Sequence, residues 1–352
     1  MIRRVFAVDF GASGGKCFCG TFSGRTFKLD EIHRFEHGGV SFFIKNRNGK
    51  NEERAYWDDI LLYNNILEGL RALKRETGGT VDSIGIDAWG ADGQVLSPDG
   101  ELLGKVYCYR DHRLDRMVEE VKSRIDARRI YSITGIHFQP FNVSNQLLWF
   151  MRNRRHLLKP GCVYLPIPSI FYYYLGGIKK VDSSWASVTQ LMDAKKREWN
   201  KEILKKLCIP MSLMPEIVEP GTVIGKLNKS IADLAGLNQA KLIAVGSHDT
   251  ASAFAAAPVN NQEEALIISS GTWSLVGRLV PEPITGDAAR KNNISNEGGI
   301  GNIRFLKNCM GGWLVQELRR IWGVADGKAM NWKDLDKLTH EAKPFSAFIN
   351  PD

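Results

Sequence analysis

The chain has 352 residues, 43% hydrophobic and 24% charged, with a formal net charge of +8. This is the make-up of a globular protein with room for about two domains, and it excludes a disordered or fibrous chain. No stretch approaches the ~20 consecutive apolar residues of a membrane span, and the start lacks an apolar signal region, so no membrane partner and a cytoplasmic setting are expected.

Cys17, Cys19, Cys108, Cys162, Cys208 and Cys309 include no CxxC pair, so neither a zinc site nor a disulfide framework is expected. Cys17 and Cys19 alternate on a strand and read as small buried hydrophobes. The positive charge raises the question of nucleic acid. The densest basic run, "KKREWNKEILKK" at 195–206, interleaves Glu198 and Glu202 at helical spacing, the pattern of a solvated helix face. No aromatic platform stands beside it, so no nucleic-acid partner is expected, and an anionic small substrate accounts for the charge.

In chain order, "VFAVDF", "KCFCGTF" and "TFKLDEIHRFE" read as a strand meander. Between the first two lies "GASGGK". Gly11, Gly14 and Gly15 can turn sharply and expose backbone N–H groups to phosphate oxygens, with Asp9 placed to hold a hydrated metal ion; a tight hairpin is the plainer reading. "DDILLYNNILEGLRALKRETGG" predicts a helix with Leu62, Ile66, Leu70 and Leu73 on one face, capped by Asp58 or Asp59 and ended by Gly78. "VDSIGIDAWGADGQVL" is a strand running into a loop of acids and glycines. A mixed sheet with helices packed on it follows. Residues 101–243 are more helical, and Phe171 to Tyr174 read as core and helix surface.

The opening pattern then returns. "EEALIISSGTWSLVGRLV" and "IGNIRFLKN" are strand, small-residue turn, strand and strand, followed by the helix "GGWLVQELRRIW" with Leu314, Leu318, Ile321 and Trp322 on one face, and a further helix in "WKDLDKLTHEA". Two such units facing each other would set two phosphate loops across one cleft. Between them stands "LIAVGSHDTASAFAAAP", with Asp249 at a strand-to-helix elbow. There it serves as a helix N-cap, as a general base at the mouth of the cleft, or as both.

"DFGASGGK", "IDAWGADG", "YRDHR", "GIHFQPFN", "GSHDTASAF", "SSGTWSLVG" and "LKNCMGGWLVQE" occur in the order found in the FGGY carbohydrate kinases. The wording is most similar to the rhamnulokinase branch, from residue 5 to about residue 322. The resemblance implies an α/β fold of two actin-like, ribonuclease-H-type domains facing a cleft. Residues 1–245 would form a sugar-binding domain, and 246–352 a nucleotide-binding domain that is incomplete against the family pattern, leaving an apolar sheet edge and helix faces uncovered. ATP and Mg²⁺ are implied, with γ-phosphoryl transfer to the C1 hydroxyl of L-rhamnulose. Another ketose or polyol, or a non-catalytic sugar-binding remnant, are the alternatives.

Carried over, Asp249 is the catalytic base, and Gly90, His248, Thr250 and Asn308 join it in binding the sugar. Asp87, Trp89 and Asp92 wall the pocket. Ala12, Ser13, Gly14, Gly15 and Lys16 form the first phosphate loop, Thr272 lies in the second, Gln316 contacts the nucleotide, and Asp9 holds the magnesium shell. Lys16 stands where the family usually places an arginine, keeping a cation without the planar fork. Gly93 replaces a usual aromatic, from which a wider sugar pocket is expected.

Overall fold

The computed structural model describes residues 2–46, 48–261, 264–325, 327 and 330–348. β1 (Ile2–Gly11), β2 (Gly14–Ser23) and β3 (Thr26–Glu36) form the expected antiparallel meander, and the first hairpin closes over two residues with Gly11 opposite Gly14. Alternation puts Phe6, Val8, Phe10, Cys17 and Cys19 on the buried face. β4 (Val40–Lys45) and β5 (Asn51–Tyr56) make a separate hairpin. α1 (Asp59–Thr77) starts at Asp58, whose carboxylate accepts the Leu61 N–H, and ends at Gly78 with φ 72°. Its apolar stripe, Leu62, Ile66, Leu70 and Leu73, is buried. The helix lies so close to the sheet that a Cβ on Gly69 would sit 2.6 Å from the Cys17 Sγ.

β6 (Ser83–Ala88) pairs with β1 in parallel and leads to β7 (Gly93–Leu96). The middle of the chain carries α2 (Met117–Arg124), α3 (Ala127–Thr134), α4 (Val143–Asn153), β8 (Val163–Pro166), α5 (Ile167–Gly176), β9 (Lys180–Asp182) and α6 (Ser183–Val188). In α5, Phe171 and Tyr172 are core residues, as expected. The Tyr172 hydroxyl accepts the Ile86 N–H at 2.8 Å and donates to the Ile243 carbonyl at 2.6 Å.

The basic run departs from expectation. Only α7 (Lys201–Lys206) is helical, while β10 (Met192–Asp193) and β11 (Glu198–Trp199) form a tight hairpin. The Asp193 carboxylate accepts the Lys195 and Lys196 N–H groups, Arg197 turns at φ 56°, and Asn200 caps α7. Local side-chain bonds to the backbone there outcompete helix propensity.

β12 (Glu216–Val218) pairs with β9. After it, β13 (Val223–Lys226), α8 (Lys229–Ala235) and β14 (Lys241–Ile243) complete a mixed six-stranded sheet, ordered β13-β14-β6-β1-β2-β3.

α9 (Asp249–Ala255) leads to a second, antiparallel sheet of β15 (Ile267–Ser270), β16 (Trp273–Val280), β17 (Ser295–Gly298) and β18 (Ile303–Met310), ordered β15-β16-β18-β17, with α10 (Asp287–Lys291) between β16 and β17. The repeated unit is there, with β17 as an addition. α11 (Trp313–Ala325) and α12 (Trp332–Glu341) follow, and Leu318, Ile321 and Trp322 are 44%, 49% and 43% exposed. β17 ties the second sheet to the first half. The Gly298 N–H donates to the Ser187 hydroxyl at 2.7 Å, and the Asn296 amide donates to the Gly135 carbonyl at 3.2 Å. The Tyr131 hydroxyl donates to the Ile294 carbonyl at 2.7 Å.

Candidate active site

A cavity of about 580 Å³ lies between the two sheets. Asp9, Ala12, Ser13, Gly14, Gly15, Lys16, Gly90, His248, Asp249, Thr250, Thr272, Asn308 and Gln316 all line it. Residues more than 300 positions apart in sequence therefore converge on one space. The first glycine turn is a plain hairpin in geometry, so the hairpin and loop readings coincide. The second is fastened to the start of α11: the Gly312 N–H donates to the Gly271 carbonyl at 2.8 Å and the Trp313 N–H to the Thr272 carbonyl at 3.2 Å.

The elbow that carries Asp249 continues alongside β6. The Ala88 N–H donates to the Ser247 carbonyl at 2.9 Å, and Ala88 bridges His248 in parallel. Asp182, the buried N-cap of α6, accepts from the Ser184 N–H and from the Ser247 hydroxyl, which locks the elbow in place. His248 rather than Asp249 occupies the N-cap position of α9, so the helix-cap reading of Asp249 is corrected. The Asp249 carboxylate instead accepts the N–H of Thr250 at 2.6 Å and its hydroxyl at 3.2 Å, and keeps 34% of its side-chain surface open. Burial, reinforced by the charge of Asp9, pushes its pKa up to about 7 against the opposing pull of the Thr250 bonds and Arg304. A carboxyl poised there can take a proton near neutral pH.

His248 is oriented by Arg304, a residue that the sequence reading does not single out. The fully buried guanidinium places Nη2 3.0 Å from His248 Nδ1 and donates from Nε to the Gly298 carbonyl at 2.9 Å. A guanidinium only donates, so Nδ1 accepts and the imidazole proton sits on Nε2. That nitrogen lies 3.3 Å from Asp249 Oδ1 and against Gly90, where a Cβ would approach it to 2.5 Å. Glycine at 90 is therefore a steric requirement of His248. Burial and the Arg304 charge hold His248 well below the ordinary histidine pKa, hence neutral. Glu297, opposite Arg304 in the β17–β18 register, pairs with it at 3.1 Å and accepts from the Asn308 amide at 3.3 Å.

Within charge range of Asp249, Asp9 faces Lys16 across the β1–β2 ladder and Asp87 across β1–β6. Burial raises the pKa of both carboxyls, and Lys16 and Asp87 partly offset this at Asp9. The buried Oδ1 of Asp87 has no hydrogen-bond partner among the described residues. Two adjacent carboxyls with an unsatisfied oxygen fit a proton or a divalent cation, and Mg²⁺ is commonly held by one or two carboxylates plus phosphates and water.

Three sequence expectations are corrected. Of the proposed pocket walls only Trp89 lines the cavity; Asp87 stands behind Asp9, and Asp92 turns inward at φ 73°. Asp92 accepts from Trp57 Nε1 at 2.7 Å, Trp89 Nε1 at 3.2 Å, the Tyr109 N–H at 3.0 Å and Gln146 Nε2 at 3.1 Å, the hub of a buried structural network. Gly93 opens no space: it pairs with Pro166 in β7–β8, and a Cβ would meet the Leu165 carbonyl at 2.4 Å.

The family model for the N-terminal domain of the FGGY family of carbohydrate kinases matches residues 40–255. Rhamnulokinase from Mannheimia succiniciproducens is 36% identical over 354 residues, covering 100% of this chain and 68% of the relative. Rhamnulokinase from Bacteroides thetaiotaomicron is 35% identical over 358 residues, covering 100% and 70%. The chain belongs to the FGGY family of carbohydrate kinases, and spans about two thirds of the length of these relatives. The fold is shared with solved sugar kinases of actin-like two-domain architecture. Gluconate kinase from Lactobacillus acidophilus superposes with a TM-score of 0.74 at 19% identity, covering 91% of this chain and 62% of that one. Glycerol kinase from Plasmodium falciparum with ADP superposes with a TM-score of 0.75 at 16% identity, covering 97% and 67%.

Proposed function

We propose that this chain carries the acceptor pocket and both phosphate loops of an ATP-dependent kinase that passes the γ-phosphoryl group to the C1 hydroxyl of a ketose, L-rhamnulose first. Asp249 carries the reading: a carboxylate with a pKa raised to about 7, facing a cavity into which two glycine turns project. Phosphoryl transfer asks the protein for position, positive charge on the phosphate oxygens and a base for the acceptor.

Residues 1–245 form the N-terminal domain and 246–352 the C-terminal domain in this reading, and both lend residues to the sugar and to the phosphates. Asp249 takes the proton of the C1 hydroxyl. The Nε2–H of His248, Thr250, Asn308 and the Gly90 backbone bind neighbouring oxygens. The N–H groups of Ala12 to Gly15, the Lys16 ammonium and Thr272 hold the phosphates, and Gln316 contacts the nucleotide. Asp9, with Asp87 behind it, would hold Mg²⁺, which would supply further positive charge to the phosphate oxygens when bound. Rhamnulose as the acceptor is supported by similarity, along the whole of this chain, to relatives that bear the name rhamnulokinase.

Asp249→Asn tests the mechanism. It should leave ketose binding by calorimetry near wild type and lower turnover by about 10²–10⁴-fold. Near-full turnover would overturn the role. A panel of ketoses and polyols tests the acceptor: xylulose or glycerol outperforming rhamnulose tenfold in kcat/KM would refute the substrate and leave the kinase.

A further inference from the structure

His137 lines the same cavity beside Ile136, Phe141 and Val188, and nothing above gives it a task. It follows the α3 C-cap Gly135, whose carbonyl accepts both the backbone N–H of Asn296 at 2.9 Å and its side-chain amide at 3.2 Å, so the segment is fixed against β17. The residue is 6% exposed, and neither ring nitrogen has a hydrogen-bond partner among the described residues. His248, equally buried in the same cavity, contrasts with it: Arg304 meets its Nδ1. Burial alone lowers the His137 pKa to about 4, so the ring is neutral at pH 7 and offers one N–H and one lone pair.

A buried polar group left unpaired calls for an explanation, and for one in the wall of a cavity a ligand hydroxyl is one. A largely apolar wall with a few placed polar groups, here His137 and Asn142, is also how small-molecule pockets fix orientation. A hydroxyl both donates and accepts, so it matches either nitrogen of a neutral imidazole.

We infer that His137 hydrogen-bonds a hydroxyl of the acceptor sugar and sets specificity for it, on a part of the wall separate from the Asp249 elbow. This rests on the cavity being the acceptor pocket, but not on phosphoryl transfer. An analogue lacking that hydroxyl would strand the imidazole, and such sites discriminate strongly.

The test is equilibrium binding of L-rhamnulose and its singly deoxygenated analogues to the full chain by calorimetry, without ATP, for wild type, His137→Leu and His137→Gln. Thermal melts confirm that each variant is folded. His137→Leu should weaken rhamnulose binding about ten- to a hundredfold. That penalty should vanish for the one analogue missing the contacted hydroxyl. His137→Gln, which keeps a donor and an acceptor, should recover part of the affinity. In turnover assays the sugar KM should rise while kcat and the ATP KM stay within about threefold. Leucine binding rhamnulose within twofold of wild type, an equal loss for every analogue, or a wild type that binds none of these sugars would each overturn the inference. If the leucine variant does not fold, the glutamine variant with the same analogues decides. A protein that binds rhamnulose through His137 but phosphorylates nothing would refute the kinase mechanism and leave this contact standing.

Discussion

The six-stranded sheet is covered by α1, α5 and the helical middle of the chain, and its core runs continuously from Phe6 to Leu242. The four-stranded sheet has a far smaller core, Phe254, Ile267, Leu275, Leu279 and Leu306, and the apolar stripe of α11 faces outward. Both begin with the same strand, glycine turn and strand, yet the first holds its turn on a deep core and the second on a shallow one. α9 packs against strands of both sheets, so Asp249 is carried by the element they share. The difference teaches that the Asp249 elbow is braced from the first half, with Arg304 of the second sheet orienting His248, while Thr272, Asn308 and Gln316 are presented by the second sheet and α11, which have little independent support.

The largest expected departure comes from breaking the buried ion pair that the second sheet sets against the elbow. Arg304→Met leaves Glu297 buried without its partner, a loss of about 3–5 kcal/mol in stability, and the double variant with Glu297→Gln should recover most of it. Denaturant unfolding of both variants checks this. A single variant as stable as wild type would mean that the elbow does not depend on the second sheet.

Next comes Leu306→Ala, a core truncation worth about 2–5 kcal/mol. Amide exchange should speed up in β15 to β18 and stay slow in β1 and β6. Equal acceleration in both sheets would show that they unfold as one unit.

A smaller, graded effect is set by pH. The Asp249 carboxyl loses its proton near ~4 when unfolded and at about 7 when folded. The native state binds more protons in that window, so stability falls as pH rises from about 4 to about 7. Asp249→Asn should flatten that slope in thermal melts without nucleotide. Asp9 and Asp87, raised in the same direction, keep part of it. The smallest effect is Thr272→Ala: loss of one hydrogen bond to a phosphate oxygen should raise the ATP KM about tenfold or somewhat more, with the sugar KM unchanged.

Much of this was legible in the chain itself. Period-two alternation and glycine turns located β1 to β3, and the stripe from Leu62 to Leu73 with Asp58 and Gly78 fixed α1. The ordered motifs named residues that meet in one cavity. What escaped was decided by particular pairings, some local and some across the fold, that residue patterns do not show. Arg304 reads as an ordinary strand cation until β17 sets Glu297 opposite it. Gly93 reads as free space until β8, some 70 residues on, fills it. Asp92 reads as a pocket wall until four donors turn it inward. Lys195 to Trp199 read as helix because charge spacing says nothing of the turn that Asp193 closes.

The bonds around Asn296 have a mechanical meaning. Its amide donates to the carbonyls of Gly135 and Ile284, and its oxygen accepts the Ile284 N–H at 2.6 Å, so the side chain works as a pin between α3 and the second sheet. The covalent path between the sheets runs elsewhere, through residues 244–248. With the Gly298–Ser187, Tyr131–Ile294 and Arg304–His248 bonds, these attachments cluster along one side of the interface. A relative swing of the halves that kept them would turn about that side. It would open first where the halves meet through ring contacts, at Phe141–Trp273 and where Arg110 lies over Trp313.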